Sequence, residues 1–376
     1  MNLNTIKNMH RARNNKNDEF YTQLKDIEKE LRHYEPHFKG KVVYCNCDDP
    51  QLSNFFKYFS DNFERLGLKK LIASCYRGED AIRRANGASD KAVWLEYTGE
   101  HNGVQAFDGD GDFRSEEALH LLKEADIVVT NPPFSLFREY VSQLIAHDKK
   151  FVILGNMNAI TYKDIFTLIK EEKLWLGCEN GQMEFELPEE AEMRASASIN
   201  KDGKKVQKFG NISWYTNLDV TKRHEDLELF RHYDPARYPM YDNYNAINVD
   251  KVVDIPMDYT GVMGVPITFL SKHNPEQFDI FGMATGRCEF EPESHPKKKY
   301  VNPKQINKDG TISNGSKVNT RAVVGLDCIP KEVYYIADNA DKPLKSVYAR
   351  ILIKNKKVFR NPLCPNKGNA AGDRHA

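Results

Sequence analysis

Residues Ala125 to Phe137 read A-D-I-V-V-T-N-P-P-F-S-L-F, and the fold class turns on them. The β-branched run Ile127–Thr130 predicts a short buried strand, and Asn131-Pro132-Pro133-Phe134 stops it with a rigid turn. In an open α/β sheet the carboxyl end of such a strand is where ligands bind. Pro132 and Pro133 have no backbone N–H and hold φ near one value, while their carbonyls and that of Asn131 stay available as acceptors. The turn therefore reads as a stiff rim of acceptors beside an aromatic face. Such a rim suits methyl transfer to a planar exocyclic amine. The Asn131 side-chain oxygen and the Pro132 carbonyl accept from an NH2 group and aim its lone pair at an electrophilic methyl, while Phe134 stacks on the base. The amine becomes cationic only as the methyl arrives, so no strong base is needed and catalysis is positioning and electrostatics. The bland alternative is a strand-terminating turn with no further role. A strand before it and a helix after it favour the functional reading.

Outward from the turn the alternation continues. Ser135 is placed to cap a helix through Ile145 that buries Leu136, Tyr140, Val141, Leu144 and Ile145, and residues 151–154 read as the next strand. Upstream, residues 42–47 and 71–76 read as strands, with a helix carrying Leu52, Phe55, Phe56 and Phe59 between them. Short strands at 92–97 and 104–107 suggest a hairpin around Gly99 to Gly103. This pattern from Val42 to Leu154 predicts an α/β fold whose mostly parallel sheet is covered by helices on both faces. Next come a helix at 165–169, a short strand at 174–176, a polar excursion at 190–208 and a β-rich segment at 210–217. Trp214 and Tyr215 in that segment suit a second aromatic wall and ordinary core equally well. From Lys222 aromatics, prolines and asparagines dominate short segments, which predicts a smaller α+β or β-rich region. Residues 346–354 alternate as a late strand, and the tail from Asn361 reads as unstructured.

Two segments before the turn read as its cofactor side. Asp18-Glu19-Phe20-Tyr21-Thr22 leads into a helix over 23–33 with Leu24, Ile27 and Leu31 at helical spacing. Thr22 is placed to cap it, which leaves the aromatic pair Phe20-Tyr21 unexplained. Asn46 ends the first strand, and Asp48-Asp49-Pro50 joins it to a helix N-terminus, where a doubly wound fold binds a nucleoside. The usual glycine-rich fingerprint is missing, and the two aspartates also suit a helix dipole. Cys75 and Tyr76 stand where a ribose-binding carboxylate often ends the next strand. In Gly109-Asp110-Gly111-Asp112-Phe113, Asp112 is placed to accept from an adenine amino group and Phe113 to pack on the purine. An acidic turn before a helix start at Ser115-Glu116-Glu117 is the alternative, and the spacing to Asn131 favours the cofactor.

Composition bounds the rest. The chain has 376 residues, 40% of them hydrophobic, enough for one sizeable domain and a smaller appended one. Lys and Arg (54) balance Asp and Glu (54), so any basic surface is local. The seven cysteines show neither a C-x-x-C pair nor metal spacing, and a reducing cytoplasm fits them. The start carries Lys7, His10, Arg11, Arg13 and Lys16, a basic arm able to touch phosphates or simply a solvated terminus. No apolar run approaches membrane-spanning length, and nothing directs the chain out of the cell. Lys297, Lys298 and Lys299 beside Tyr300 make a local cationic patch, read as a DNA contact or as a solvated loop.

Asp18 to Thr22, Cys45 to Pro50, Gly111 to Phe113, Asn131 to Phe134, Gly210 to Leu218 and Gly264 to Leu270 together resemble the EcoRI-type adenine-specific DNA methyltransferase family. The resemblance implies a Rossmann-like class I methyltransferase sheet in which Asn131, Pro132, Pro133 and Phe134 are the catalytic tetrapeptide. It implies that Phe20, Tyr21, Thr22, Asn46, Asp48, Pro50, Cys75, Tyr76, Asp112 and Phe113 line S-adenosyl-L-methionine. The methyl then goes to N6 of an adenine rotated out of double-stranded DNA, without a metal. A cognate restriction endonuclease acting separately is the expected companion. Residues 1–17 would be the arm, 18–221 the catalytic domain, 222–360 the target-recognition region and 361–376 the tail. Competing readings are methylation of RNA adenine or of a protein glutamine amide, and a non-catalytic DNA-binding module.

Overall fold

The computed structural model describes residues 21–47, 53–76, 92–186, 197–200, 203–285 and 296–357. The basic arm, Phe20, Asp48, Pro50 and the tail lie outside them, as does the side chain of Tyr21. The chain forms two compact units, Met1–Arg223 and His224–Ala376. Among the described residues no helix is long and apolar enough to cross a membrane.

The first unit is built on one sheet of eleven strands. In chain order these are β1 (Tyr21–Thr22), β2 (Val42–Cys45), β3 (Lys70–Ser74), β4 (Val93–Tyr97), β5 (His101–Ala106), β6 (Ile127–Thr130), β7 (Lys150–Asn156), β8 (Trp175–Leu176), β9 (Gly181–Glu186), β10 (Ala197–Ile199) and β11 (Lys205–Thr216). The spatial path is β1-β9-β11-β7-β6-β2-β3-β4-β5, with β8 and β10 also paired to β11. Only the centre is parallel: β6 pairs with β7, β2 with β6 and β2 with β3. These strands are continuous apolar runs because both of their faces are covered. Toward both edges the pairing is antiparallel, β4 and β5 forming the expected hairpin and β11 running against β7.

Among the described residues, five longer helices accompany the sheet: α1 (Leu24–Leu31), α2 (Asn54–Asp61), α3 (Glu116–Glu124), α4 (Phe137–Ala146) and α5 (Lys163–Lys170). Alternate strand residues, among them Val43, Cys45, Leu71, Ala73, Val129 and Leu154, pack with Ile27, Leu31, Phe55 and Phe59 of α1 and α2 in one core cluster that includes Trp214. Tyr215, next along β11 and so facing the opposite way, meets Phe137 of α4 at 4.8 Å between ring centroids. Both aromatics are fully buried, so neither is a wall open to a ligand.

Two expected caps are absent. Thr22 belongs to β1, paired with Phe185, and the N-cap of α1 is Gln23. A 3-10 turn at Phe134–Leu136 delays α4 to Phe137, so Ser135 sits inside that turn and caps nothing. By contrast Ser53 caps α2 and Ser115 caps α3, each hydroxyl accepting first-turn backbone N–H bonds.

The second unit is β-rich, and its helical segments among the described residues are 3-10 turns. One sheet contains β12 (Ile247–Asn248), β13 (Met263–Pro266) and β14 (Phe278–Met283); another contains β15 (Lys304–Ile306), β16 (Ile312–Asn314), β17 (Val323–Gly325), β18 (Tyr334–Ile336) and β19 (Leu344–Ser346). β20 (Arg350–Asn355) lies between β13 and β14 in the first of these. The alternating run 346–354 is thus two strands of two sheets, because the chain leaves β19 at Ser346 and enters β20 at Arg350.

Candidate active site

The carboxyl ends of the parallel strands gather most of the described candidate residues. Asn46, directly after β2, is buried. Its backbone carbonyl accepts from the Thr130 hydroxyl at the end of β6, and its side-chain oxygen accepts from the Tyr140 hydroxyl of α4. One asparagine therefore locks the first strand end, the strand that delivers Asn131, and the helix that follows the turn. Cys47, the next residue, has a φ of +69°, a left-handed conformation unfavourable for a side chain with a Cβ.

The turn itself is half-buried at Asn131, Pro133 and Phe134 and buried at Pro132. Phe134 packs against the edge of the core cluster, and the Asn131 side-chain oxygen is shielded from solvent. The rim of acceptors is smaller than the sequence implies. Pro133 accepts from the Leu136 N–H at 3.0 Å, which closes the 3-10 turn and commits that carbonyl to the fold.

The glycine-aspartate loop is held against the end of β3. Gly111 has a φ of +72°, and a Cβ placed there would lie 2.5 Å from the Cys75 carbonyl and 2.7 Å from the Ala92 Cβ. Phe113 is buried, meets the Tyr140 ring edge-on at 5.1 Å, and accepts from the Gln143 side chain at 2.9 Å. The Asp112 carboxylate binds Arg114 (2.8 Å from Nε, 2.6 Å from Nη2), and Arg114 reaches on to Glu139 of α4 at 3.2 Å. The carboxylates drive the Arg114 pKa up, so this link persists across the working pH range. Phe113, Tyr140, Asn46 and Thr130 form one buried relay that joins the loop to the Asn131 turn. Cys75 is buried, and Tyr76 beside it is 48% exposed.

Thr22 reaches the same region from the other end of the chain. Its carbonyl accepts from the Asn54 side chain at the start of α2, 2.8 Å away. Its hydroxyl oxygen is buried and has no hydrogen-bond partner among the described residues. A buried hydroxyl left over at the strand-to-helix junction is what a polar cofactor group would satisfy. The lysine patch, in the second unit, is uneven. Lys297 and Lys299 are exposed, whereas Lys298 pairs with Asp242 at 3.0 Å and lies 5.5 Å from the Tyr300 ring centroid.

Residues 8–356 match the profile of the family described as adenine-specific methyltransferase EcoRI. The chain belongs to that family. It is a DNA methyltransferase of the adenine-specific kind. It is 54% identical over 295 residues to the type II methyltransferase M.EcoRI of Escherichia coli, covering 75% of this chain and 90% of that one. It is 42% identical over 276 residues to the type II methyltransferase M.MpnI of Mycoplasma pneumoniae, covering 72% and 83%. A third relative, M.MgeORF184P of Mycoplasma genitalium, is 40% identical over 276 residues, covering 72% and 84%. No solved structure matches the chain significantly.

In this EcoRI-family chain, Thr130, Tyr140, Gln143 and Arg114 hydrogen-bond the candidate residues Asn46, Phe113 and Asp112, and the sequence gives none of the four a role at the candidate site. Tyr140 reads simply as one apolar position of a helix face, and only its hydroxyl, aimed at Asn46, betrays more. The Gly111 contact gives a direct test. Gly111→Ala forces a left-handed backbone on a residue with a Cβ and drives that atom into a backbone carbonyl, so the loop must move. The expected result is a loss of about 2 kcal/mol in stability, read by thermal unfolding, with S-adenosylmethionine affinity falling in calorimetry.

Proposed function

We propose that the enzyme transfers a methyl group from S-adenosyl-L-methionine to N6 of an adenine flipped out of double-stranded DNA, in a restriction-modification or related protective setting in the cytoplasm. The observation that carries this reading is the Asn131-Pro132 acceptor pair at the carboxyl end of β6, tied through Asn46 and Tyr140 to the loop of Asp112 and Phe113. The Thr22 hydroxyl, without a partner among the described residues, and the β2-to-α2 junction fit the cofactor, with Phe20, Tyr21, Thr22, Asn46, Asp48, Pro50, Cys75, Tyr76, Asp112 and Phe113 as its lining. When bound, S-adenosylmethionine supplies an electrophilic methyl on a sulfonium.

The chain's own residues do the rest. Asn131 and Pro132 accept the two N6 hydrogens and fix the lone pair in line for attack. Pro132 and Pro133 keep those acceptors from relaxing toward the base, and Phe134 stacks on its face. An amine inside a duplex cannot reach this corner, so the base must leave the stack. Asn46 and Buried Tyr140 act as positioning residues. Residues 18–221 would be the catalytic domain and 222–360 the target-recognition region, with 1–17 an arm, 361–376 a tail, and Lys297 to Lys299 on the DNA side. A cognate endonuclease would act separately on the same site.

The test is methyl incorporation from labelled S-adenosylmethionine into duplex DNA, RNA and protein in parallel, with modified adenines called by sequencing. Label confined to N6 of adenine at one DNA site is expected. Label in RNA or in glutamine amides would overturn the reading.

A further inference from the structure

The second unit holds an arginine that no carboxylate among the described residues neutralises. Arg321 is half-buried, and among the described residues its guanidinium makes neither a hydrogen bond nor an ion pair. The ring of Tyr348 packs against it, with Cζ 5.3 Å from the centroid. Half-buried arginines are ordinarily paired, as Arg223 is with Glu172 (3.1 Å) and Asp219 (3.5 Å) in the first unit.

The surroundings hold this cation in place. Asn243 is buried; its amide nitrogen donates to the Arg321 carbonyl at 2.8 Å, its side-chain oxygen accepts from Val323 N–H at 2.9 Å, and its own carbonyl accepts from Lys297 N–H at 2.9 Å. One satisfied asparagine thus fixes the backbones of Arg321 and Lys297 beside each other. Tyr348 is 47% exposed, and its carbonyl accepts from Arg350 Nη1 at 3.3 Å. Arg350 is itself buried, and the carboxylate of Asp250 stands 3.5 Å from it. Two guanidinium groups therefore bracket Tyr348, one over its ring and one at its backbone. Lys298, sharing Asp242 with the Tyr300 hydroxyl, is committed to the fold, so the exposed cations of its run are Lys297 and Lys299.

We propose that Arg321 and Lys297 form a phosphate-binding surface for duplex DNA, with Tyr348 as the platform under the guanidinium. A guanidinium resting on an aromatic ring keeps its N–H groups for a planar anion and loses little freedom when one arrives. Phosphate oxygens then form charge-assisted bonds to it, and Lys297 adds a point charge. The surface deepens the proposed DNA reading and rests on it.

The experiment measures binding of the full chain to a fluorescent duplex carrying the methylated site, and to a scrambled duplex, across a salt series. Arg321→Ala and Lys297→Ala are each expected to weaken both duplexes alike, roughly tenfold for the arginine, and to lower the slope of log affinity against log salt by about one. Arg321→Lys should restore most of the slope, and S-adenosylmethionine affinity by calorimetry should stay unchanged. Should Arg321→Ala fail to fold, the exposed Lys297→Ala carries the same readout. An unchanged slope in the folded variants overturns the proposal, and so does a loss confined to changes at one base pair, which would mean base reading. Wild-type chain that methylates DNA beside such unaffected variants sinks this inference alone. A wild-type chain that binds no duplex sinks the DNA reading and this surface together.

Discussion

Asn131→Ala is expected to reduce methyl transfer by roughly 10³-fold or more while leaving S-adenosylmethionine affinity nearly unchanged. Removing one preorganised hydrogen-bonding group at a reacting centre costs about 10²–10³ in rate, roughly 2.7–4 kcal/mol of barrier. The loss should sit at the upper end here, because Pro133 is already committed to Leu136 and the remaining acceptor, Pro132, cannot by itself orient an NH2 group. The cofactor side should persist, since the tie between Asn46, Thr130 and Tyr140 does not pass through the Asn131 side chain. Asn131→Asp keeps an acceptor at the same position and should retain more activity than the alanine variant. The measurements are single-turnover methylation of duplex DNA, calorimetry with S-adenosylmethionine, and thermal unfolding. Undiminished turnover in a folded Asn131→Ala protein would remove the turn from the chemistry.

The centre of the fold was legible because β2, β3, β6 and β7 are buried on both faces, so their sequences are unbroken apolar runs. β11 was legible only in part. Its first half, from Lys205, looks like a polar excursion, yet it is paired with both β10 and β9, and lysines beside and within it meet acids of β9: Lys204 meets Glu186 at 2.8 Å and Lys208 meets Glu184 at 3.6 Å. The turn proposed as catalytic has a local signature, Asn-Pro-Pro-Phe, all of its information lying in four consecutive residues. The tie of Asn46 to Tyr140 has no such signature, since it joins residues 94 apart in the chain and neither has a distinctive neighbour. Capping misled for a related reason. Thr22 and Ser135 are good cap residues, but β-pairing with Phe185 claims the first and the Pro133-to-Leu136 bond places the second inside a tighter turn. Tertiary pairing overrides local propensity at both.

Glu30→Ala is expected to cost about 4 kcal/mol of stability at pH 5, where most of the wild-type residue's stabilisation is present. Glu30, in the last turn of α1, is fully buried. One of its oxygens accepts from the Tyr34 hydroxyl (2.6 Å) and Cys178 N–H (2.9 Å), the other from Glu179 N–H (2.6 Å), so it pins the helix to the turn between β8 and β9. Truncation leaves three buried donors without an acceptor. Burial pushes the Glu30 pKa up to about 7 from an ordinary 4.5, against the opposing pull of those donors. The folded state therefore binds this proton more tightly than the unfolded chain does. Its contribution is complete below about pH 4.5 and is lost as pH rises through 7, a change of about 3 kcal/mol. Glu179, Asp242 and Asp258 have lowered pKa values, so their stabilisation is lost only as pH falls through the acid range, with the opposite sign. Glu30→Gln separates the two behaviours. Its amide must turn one N–H group toward a donor, costing about 2 kcal/mol at pH 5, but it does not titrate. The stability gap between wild type and Glu30→Gln, taken from urea unfolding, should shrink as pH rises from 5, close near pH 7 and not reopen in favour of the wild type by pH 8. A gap of constant size would mean that Glu30 keeps one protonation state throughout that range, and that the three donors, not the burial, govern it.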